Sequence, residues 1–392
     1  MSAPAIASSA PPSRLPSLDT LRGLIMALMA LDHASAFIAH RHSSEFWSGD
    51  ITRYDSSLPF LVRFVTHLCA PGFFFLMGCG MALLSESLRE QGWSLGRIAG
   101  FYLKRGLLLV GINQFIENPA WLIGFVFQAA GGSGAPEAMP GGGFGPFMVT
   151  GVLTGLGLSL ALGGLLLRFG SRVWIAIAVA ALLATEFLIP PPEQGKTLFN
   201  PVWRLLLVPG HTNVLLVMYP LIPWFAVTAL GVVFGRAVRQ YPEPALRAAP
   251  WIGLALLVTA LGLRALSGFG SIILPRDDSW IEFLNFVKYP PALVFSLFTL
   301  GVNLMILGAL ASWGRFAAAL SPLAVFGRTP LFFYLAHLYF YAALGALFFR
   351  RPVELPWMMA VWLAGLVPLW HLCRRYRAFK ESRPAGSFWR FL

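Results

Sequence analysis

Apolar stretches of about 20 residues recur ten times along this 392-residue chain, and that recurrence limits the fold more than any other feature. A helix needs about 20 mostly apolar residues to cross roughly 30 Å of hydrocarbon. Inside lipid every backbone N–H and C=O must be satisfied within the span, which favours helices. Spans are predicted near 20–40, 58–84, 99–123, 147–168, 172–190, 213–236, 250–267, 289–311, 322–349 and 355–373. The third is interrupted by Asn118–Pro119 and the seventh is short. The expected fold class is therefore all-α: a polytopic membrane protein of about ten transmembrane helices, integral to the cell membrane (the inner membrane in a Gram-negative cell).

Composition agrees with that solvent. Hydrophobic residues make up 57% and charged residues 12%, whereas a soluble domain carries about a quarter charged residues. The formal charge of +12 does not point to nucleic acid, because the basic residues sit at the ends of apolar runs rather than in patches with aromatics. With the N-terminus inside, the cytoplasmic segments hold Arg14, Arg22, Arg89, Arg97, Lys104, Arg105, Arg168, Arg172, Arg236, Arg239, Arg247, Arg315 and Arg328. The tail adds Arg374, Arg375, Arg377, Lys380, Arg383 and Arg390, which brings the inside share to 19 of the 29 basic residues. Lys and Arg are retained on the cytoplasmic side, so both termini are expected there.

Residues 1–18, rich in Ala, Ser and Pro with Arg14 as the lone basic residue, read as a disordered cytoplasmic segment and lack the basic start of a signal peptide. Residues 19–375 read as one membrane domain and 376–392 as a basic cytoplasmic tail. GGSGAPEAMPGGGFGP at 131–146 reads as a flexible external loop, with further external loops at 190–212 and 268–288. No repeat of fixed period is present. Cys69, Cys79 and Cys373 show neither a disulfide framework nor a metal-ligand spacing, and there is no Walker loop or GxSxG elbow.

Ionisable groups inside a membrane are costly, so each is a functional candidate. Arg22 and His33 are eleven residues apart on the first helix, about 20° from three full turns and about 16 Å along the axis. Asp19 lies on the same stripe, with Met26 and Met29 between. One helix thus carries a cation at the cytoplasmic face and an imidazole deep in the bilayer. A neutral imidazole can act as general base, and Arg22 can hold phosphates. The plainer reading is an Arg that snorkels and a His that bonds a neighbouring helix.

Other polar residues carry the same two readings. His67, four residues before Pro71, serves local hydrogen bonding or faces His33 as a second catalytic group. Lys104 and Arg105 extend a phosphate-binding mouth or snorkel. Glu117 orients a histidine or binds an acceptor. Tyr334, His337 and Tyr341 share one face of the ninth helix, and with Asn303 they line a substrate path or form polar seams. Tyr219, Pro220, Pro223 and Trp224 make a kinked opening to the sixth helix, and Lys288 is expected at the outer interface. Asp32 points about 100° away from His33 and is not expected to pair with it.

Arg22, ten intervening residues and His33 resemble the R-x10-H signature of the transmembrane acyltransferase superfamily. SLDTLRG and MALDH resemble the first helix of bacterial members of the heparan-alpha-glucosaminide N-acetyltransferase catalytic-domain family. THLCAPGFFFLMG (66–78), YPLIPW (219–224), FLNFVKYPPALVFSLFTLG (283–301), GRTPLFFYLAHLYF (327–340) and LCRRYRAFK followed by WRFL resemble further blocks of that family, covering nearly the full length.

The resemblance implies helices enclosing a tunnel, with acyl-CoA (acetyl-CoA) as co-substrate from the cytosol. It implies a sugar or envelope glycan as acceptor on the far side, and no tightly bound cofactor. His33 would be the base, or alternatively a transient acyl carrier, and Arg22 a donor contact. The family's lysosomal enzymes place a histidine instead in the loop leading to the second helix, where this chain has His40 and His42. Two other functions fit the residues: a proton-coupled transporter or permease of a small solute, and a non-catalytic partner in envelope assembly.

Overall fold

The structure, a computed structural model, describes residues 15–42, 45–48, 51–130, 148–196, 199–212, 214–384, 387 and 389. The glycine-rich segment 131–146, most of 1–18 and the last three residues of the tail lie outside the described residues.

Each of the ten apolar stretches folds as helix. α1 (Pro16–Ile38) opens on proline at its first turn, where the missing N–H has no intrahelical partner to lose. The second span is α2 (Ser57–Thr66) followed by α3 (Cys69–Glu90). The third is α4 (Leu95–Ile112), a π-helical turn at Asn113–Glu117 and α5 (Asn118–Ala130). Then come α6 (Val152–Leu166), α7 (Ser171–Leu188), the short α8 (Pro201–Leu206), α9 (Leu221–Gln240) and α10 (Pro242–Ala265). The remainder are α11 (Trp280–Leu284), α12 (Leu293–Ser312), α13 (Gly314–Leu320), α14 (Ala324–Arg328), α15 (Pro330–Phe348) and α16 (Leu355–Glu381). Among the described residues eight helical segments are long and apolar enough to cross a membrane, α2 and α3 counting as one. α6, at 15 residues, and the α4–α5 segment make up the other two predicted spans.

α1 is the central post. It packs on α2, α3, α12, α14, α15 and α16, and its Leu21, Ala30 and Phe37 are fully buried. Association in lipid relies on close backbone approach, and glycine provides it where α1 meets α14. A Cβ on Gly327 would lie 1.9 Å from the Asp19 carbonyl oxygen, and one on Gly23 would lie 1.9 Å from that of Leu323. By contrast α7, α10 and α16 leave Phe187, Trp251, Val258 and Trp357 exposed, an apolar rim suited to lipid.

Several boundaries differ from the expectation, for local reasons. Beside the predicted starts at 147 and 213, which lie outside the described residues, the chain is extended: β1 (Met148–Thr150) pairs parallel with β3 (Leu215–Val217), which pairs antiparallel with β2 (Gly210–His211). Pro220 keeps Tyr219 out of the helical region and α9 begins after it. The short seventh span is longer than predicted, because α10 runs through Pro250. The Pro250 ring lies where Gly308 of α12 has no side chain; a Cβ there would be 2.4 Å from Pro250 Cδ. The last helix passes Pro368 and continues to Glu381, into the stretch expected to be tail.

Candidate functional site

Two interruptions of helix build the outer half of the site. Pro71 has no N–H to offer the His67 carbonyl, and the chain turns at His67–Leu68 between α2 and α3. The Leu68 carbonyl accepts from Gly72 N (3.1 Å) and from Asn303 Nδ2 (3.1 Å). In the third span, Asn118 N bonds Asn113 O across the π-turn, a wider turn frequent at functional sites. That turn directs Asn113 and Glu117 inward, where both are buried.

His33 is buried on α1. Its Nδ1 lies 2.7 Å from His337 Nε2 of α15, with the rings near parallel. The Nδ1 of His337 lies 2.8 Å from the Phe333 carbonyl. A carbonyl only accepts, so His337 Nδ1 carries hydrogen and its Nε2 is a lone pair. His33 must then donate from Nδ1, which leaves its own Nε2 as a lone pair. No hydrogen-bond partner for that Nε2 occurs among the described residues. The ring is walled by Trp121 (centroids 5.0 Å apart) and Tyr334 (6.2 Å).

Beside it lies an ion cluster. Arg63 of α2 donates from Nε and Nη2 to the two carboxylate oxygens of Glu45, each at 2.6 Å, and from Nη1 to Asp32. Thr66 Oγ1 also donates to Asp32, and His67 Nε2 lies 3.3 Å from Glu45 Oε1. Burial alone would raise the Glu45 carboxyl, but the Arg63 guanidinium holds it well below the usual carboxylate range. Backbone bonds anchor the loop: Lys288 N and Tyr289 N donate to Glu45 O, and Trp47 N donates to Tyr289 O. Lys288 is buried rather than facing the outer interface as expected, because these bonds turn its strand of chain inward. Its ammonium, 5.0 Å from the Tyr289 ring centroid, makes no ion pair among the described residues. Tyr334 donates to Glu117 Oε1 at 2.6 Å, and Glu117 Oε2 is buried without a partner.

His42, 13% exposed, lies 3.9 Å from Asp32. Burial pushes it down to about 4, against the pull of Asp32. Between that value and its ordinary 6.5 the unfolded chain binds the extra proton, so this group's contribution to stability falls as pH drops through the interval. Detergent-solubilised wild type should therefore lose up to about 3 kcal/mol more than a His42→Asn variant between pH 7 and pH 4. Parallel unfolding curves across that range would disprove it.

At the other end of α1, Arg22 Nη1 donates to Asp19 Oδ1 (3.2 Å) and to Gly327 O (3.0 Å), and Arg328 Nε donates to Asp19 Oδ2 (3.2 Å). These residues and Arg239 line a pocket of about 380 Å³. Its walls come from the ends of α1, α3, α9, α14 and α15 that the charge asymmetry assigns to the cytoplasm.

Of the expected residues, the structure brings His33, His337, Tyr334 and Glu117 together, and Arg22 with Asp19. His67 bonds Glu45, and its Nδ1 is buried without a partner. Asn303 ties α12 to the α2–α3 turn. Lys104 and Arg105 lie on α4, which packs on α6, and neither lines the Arg22 pocket. Sequence reasoning missed Arg63, Glu45 and the inward Lys288. An arginine within SLPFLVRFVT is an intramembrane charge, and that signal was available.

Residues 14–269 match the family described as Heparan-alpha-glucosaminide N-acetyltransferase, catalytic. The chain belongs to that family. A human protein named heparan-alpha-glucosaminide N-acetyltransferase is 32% identical over 118 residues, 30% of this chain and 16% of the human protein. The family's stretch contains Arg22, His33, Arg63 and Glu117 here, whereas Arg328 and His337 lie beyond it.

Proposed function

We propose that this membrane protein is an acyltransferase. It takes an acetyl or other acyl group from acyl-CoA at the Arg22 end and passes it to a hydroxyl or amine of a sugar acceptor that reaches His33 from the opposite side. The observation that carries this reading is the His33–His337 pair, which leaves a basic lone pair on the same unbroken helix as Arg22, about 16 Å away. A pantetheine arm spans a comparable distance. Family membership supports the same class of reaction.

In the reaction the acceptor heteroatom attacks the thioester carbonyl carbon while His33 Nε2 takes its proton. The new bond forms, the carbonyl becomes an oxyanion, and its collapse breaks the C–S bond. The leaving thiolate recovers the proton from His33. Throughout, His337 Nε2 accepts from His33 Nδ1 and stabilises the imidazolium. Arg22, Arg328 and Arg239 are placed to meet the donor's phosphates.

The purified protein should show saturable thermal stabilisation by CoA and transfer label from acetyl-CoA to an envelope glycan extract. Absence of both, in protein that remains folded, would refute the proposal. His337→Phe keeps a flat ring but removes the acceptor for His33, and transfer is expected to fall about 10- to 100-fold. CoA binding should be unaffected; an undiminished rate would remove His337 from the mechanism.

A further inference from the structure

Every arginine lining the cytoplasmic pocket is already held by a carboxylate. Arg239 Nη2 meets both oxygens of Glu90, at 2.5 and 2.7 Å. Asp19 does more: its two oxygens are divided between Arg22 of its own helix and Arg328 of α14, at 3.2 Å each. The pairing with Arg22 is an ordinary bond between residues three apart on a helix. The bond to Arg328 spans 309 positions of sequence, and both residues line the pocket. It is possible because glycine at 327 lets α14 press on the Asp19 backbone.

A carboxylate presents two oxygens to guanidinium groups much as a phosphate does. Arg22, Arg328 and Arg239 are 24%, 29% and 34% exposed, so all three are accessible from the pocket. We propose that Asp19 is an internal placeholder for the anionic group of the ligand. In the empty state it occupies the donors of Arg22 and Arg328. A phosphate or pyrophosphate group displaces it on binding, and its return helps expel the spent carrier. The proposal rests on reading this pocket as the donor's mouth. Asp19 is then a positioning residue, acting on the ligand through the two arginines.

Replacing Asp19 with Asn removes one negative charge and weakens the hold on both arginines, while Arg22 Nη1 keeps its bond to Gly327 O. The affinity for CoA, measured by calorimetry in detergent, is expected to rise about tenfold, with a steeper loss on adding salt. KM for acetyl-CoA should fall with no gain in kcat, because product leaves more slowly. Asp19→Glu keeps the charge and should stay near wild type. A purely structural role, as an acid in the first turn of α1, predicts lower melting temperature and equal or weaker binding. That outcome in a folded Asp19→Asn protein overturns the proposal. If Asn is not tolerated, Asp19→Ser carries the same expectation. Inorganic pyrophosphate serves as a second probe: tighter pyrophosphate binding in the variant, with no CoA binding in either protein, would sustain the placeholder and reject the acyl-CoA reading. CoA binding to wild type with no tightening in the variant would reject the placeholder alone.

Discussion

Replacing His33 with alanine is expected to lower acyl transfer by about 10²- to 10⁴-fold, the range supplied by a positioned general base. CoA should still bind with nearly wild-type affinity, because Arg22, proposed to meet its phosphates, lies about three turns away on α1. His33→Gln is the sharper comparison. It fills the same space and can still hydrogen-bond His337, but it cannot take a proton at the reacting position. Both variants should be equally inactive if proton removal is the lost step. A His33→Ala protein that transfers label at the wild-type rate would take the imidazole out of the chemistry.

The second large effect is structural. Arg63 is the common partner of Asp32 and Glu45, and all three side chains are at most 14% exposed. Replacing Arg63 with methionine leaves two carboxylates buried without their guanidinium. Breaking a buried ion pair from one side costs about 3–5 kcal/mol. The variant is therefore expected to be poorly expressed or to unfold at markedly lower temperature in detergent. Neutralising the acids as well, in Asp32→Asn/Glu45→Gln/Arg63→Met, should recover a large part of that stability. A fully stable Arg63→Met protein would show that the cluster does not hold α1, α2 and the Glu45 loop together.

Much of the architecture was legible in the chain. The apolar stretches marked every span, because hydrocarbon thickness imposes a length that a local window can read. Arg22 and His33 shared a stripe for an equally local reason, the helical repeat. Glu117 and Tyr334 were singled out as polar groups in apolar runs, yet nothing in their spacing foretold their hydrogen bond. Lys288 was misplaced because a lysine beside prolines at a helix start normally marks an interface. Only its strand-like bonds to Glu45 turn it inward. The continuation of α10 through Pro250 was hidden for a similar reason: a proline normally ends a helix, and the space opposite comes from Gly308 on another helix.

By itself the sequence determined the solvent, the helical class, the crossing order and the pairing of a cation with an imidazole on one rod, since all of these follow from composition and short-range periodicity. Only the tertiary structure decided that His337 orients His33, that Arg63 joins Asp32 to Glu45, and that Asp19 bridges Arg22 and Arg328. Two of those partners are more than 300 residues apart. Which helices meet depends on close contacts such as Gly23 on Leu323 and Gly327 on Asp19, and backbone approach of that kind leaves no mark in either segment alone.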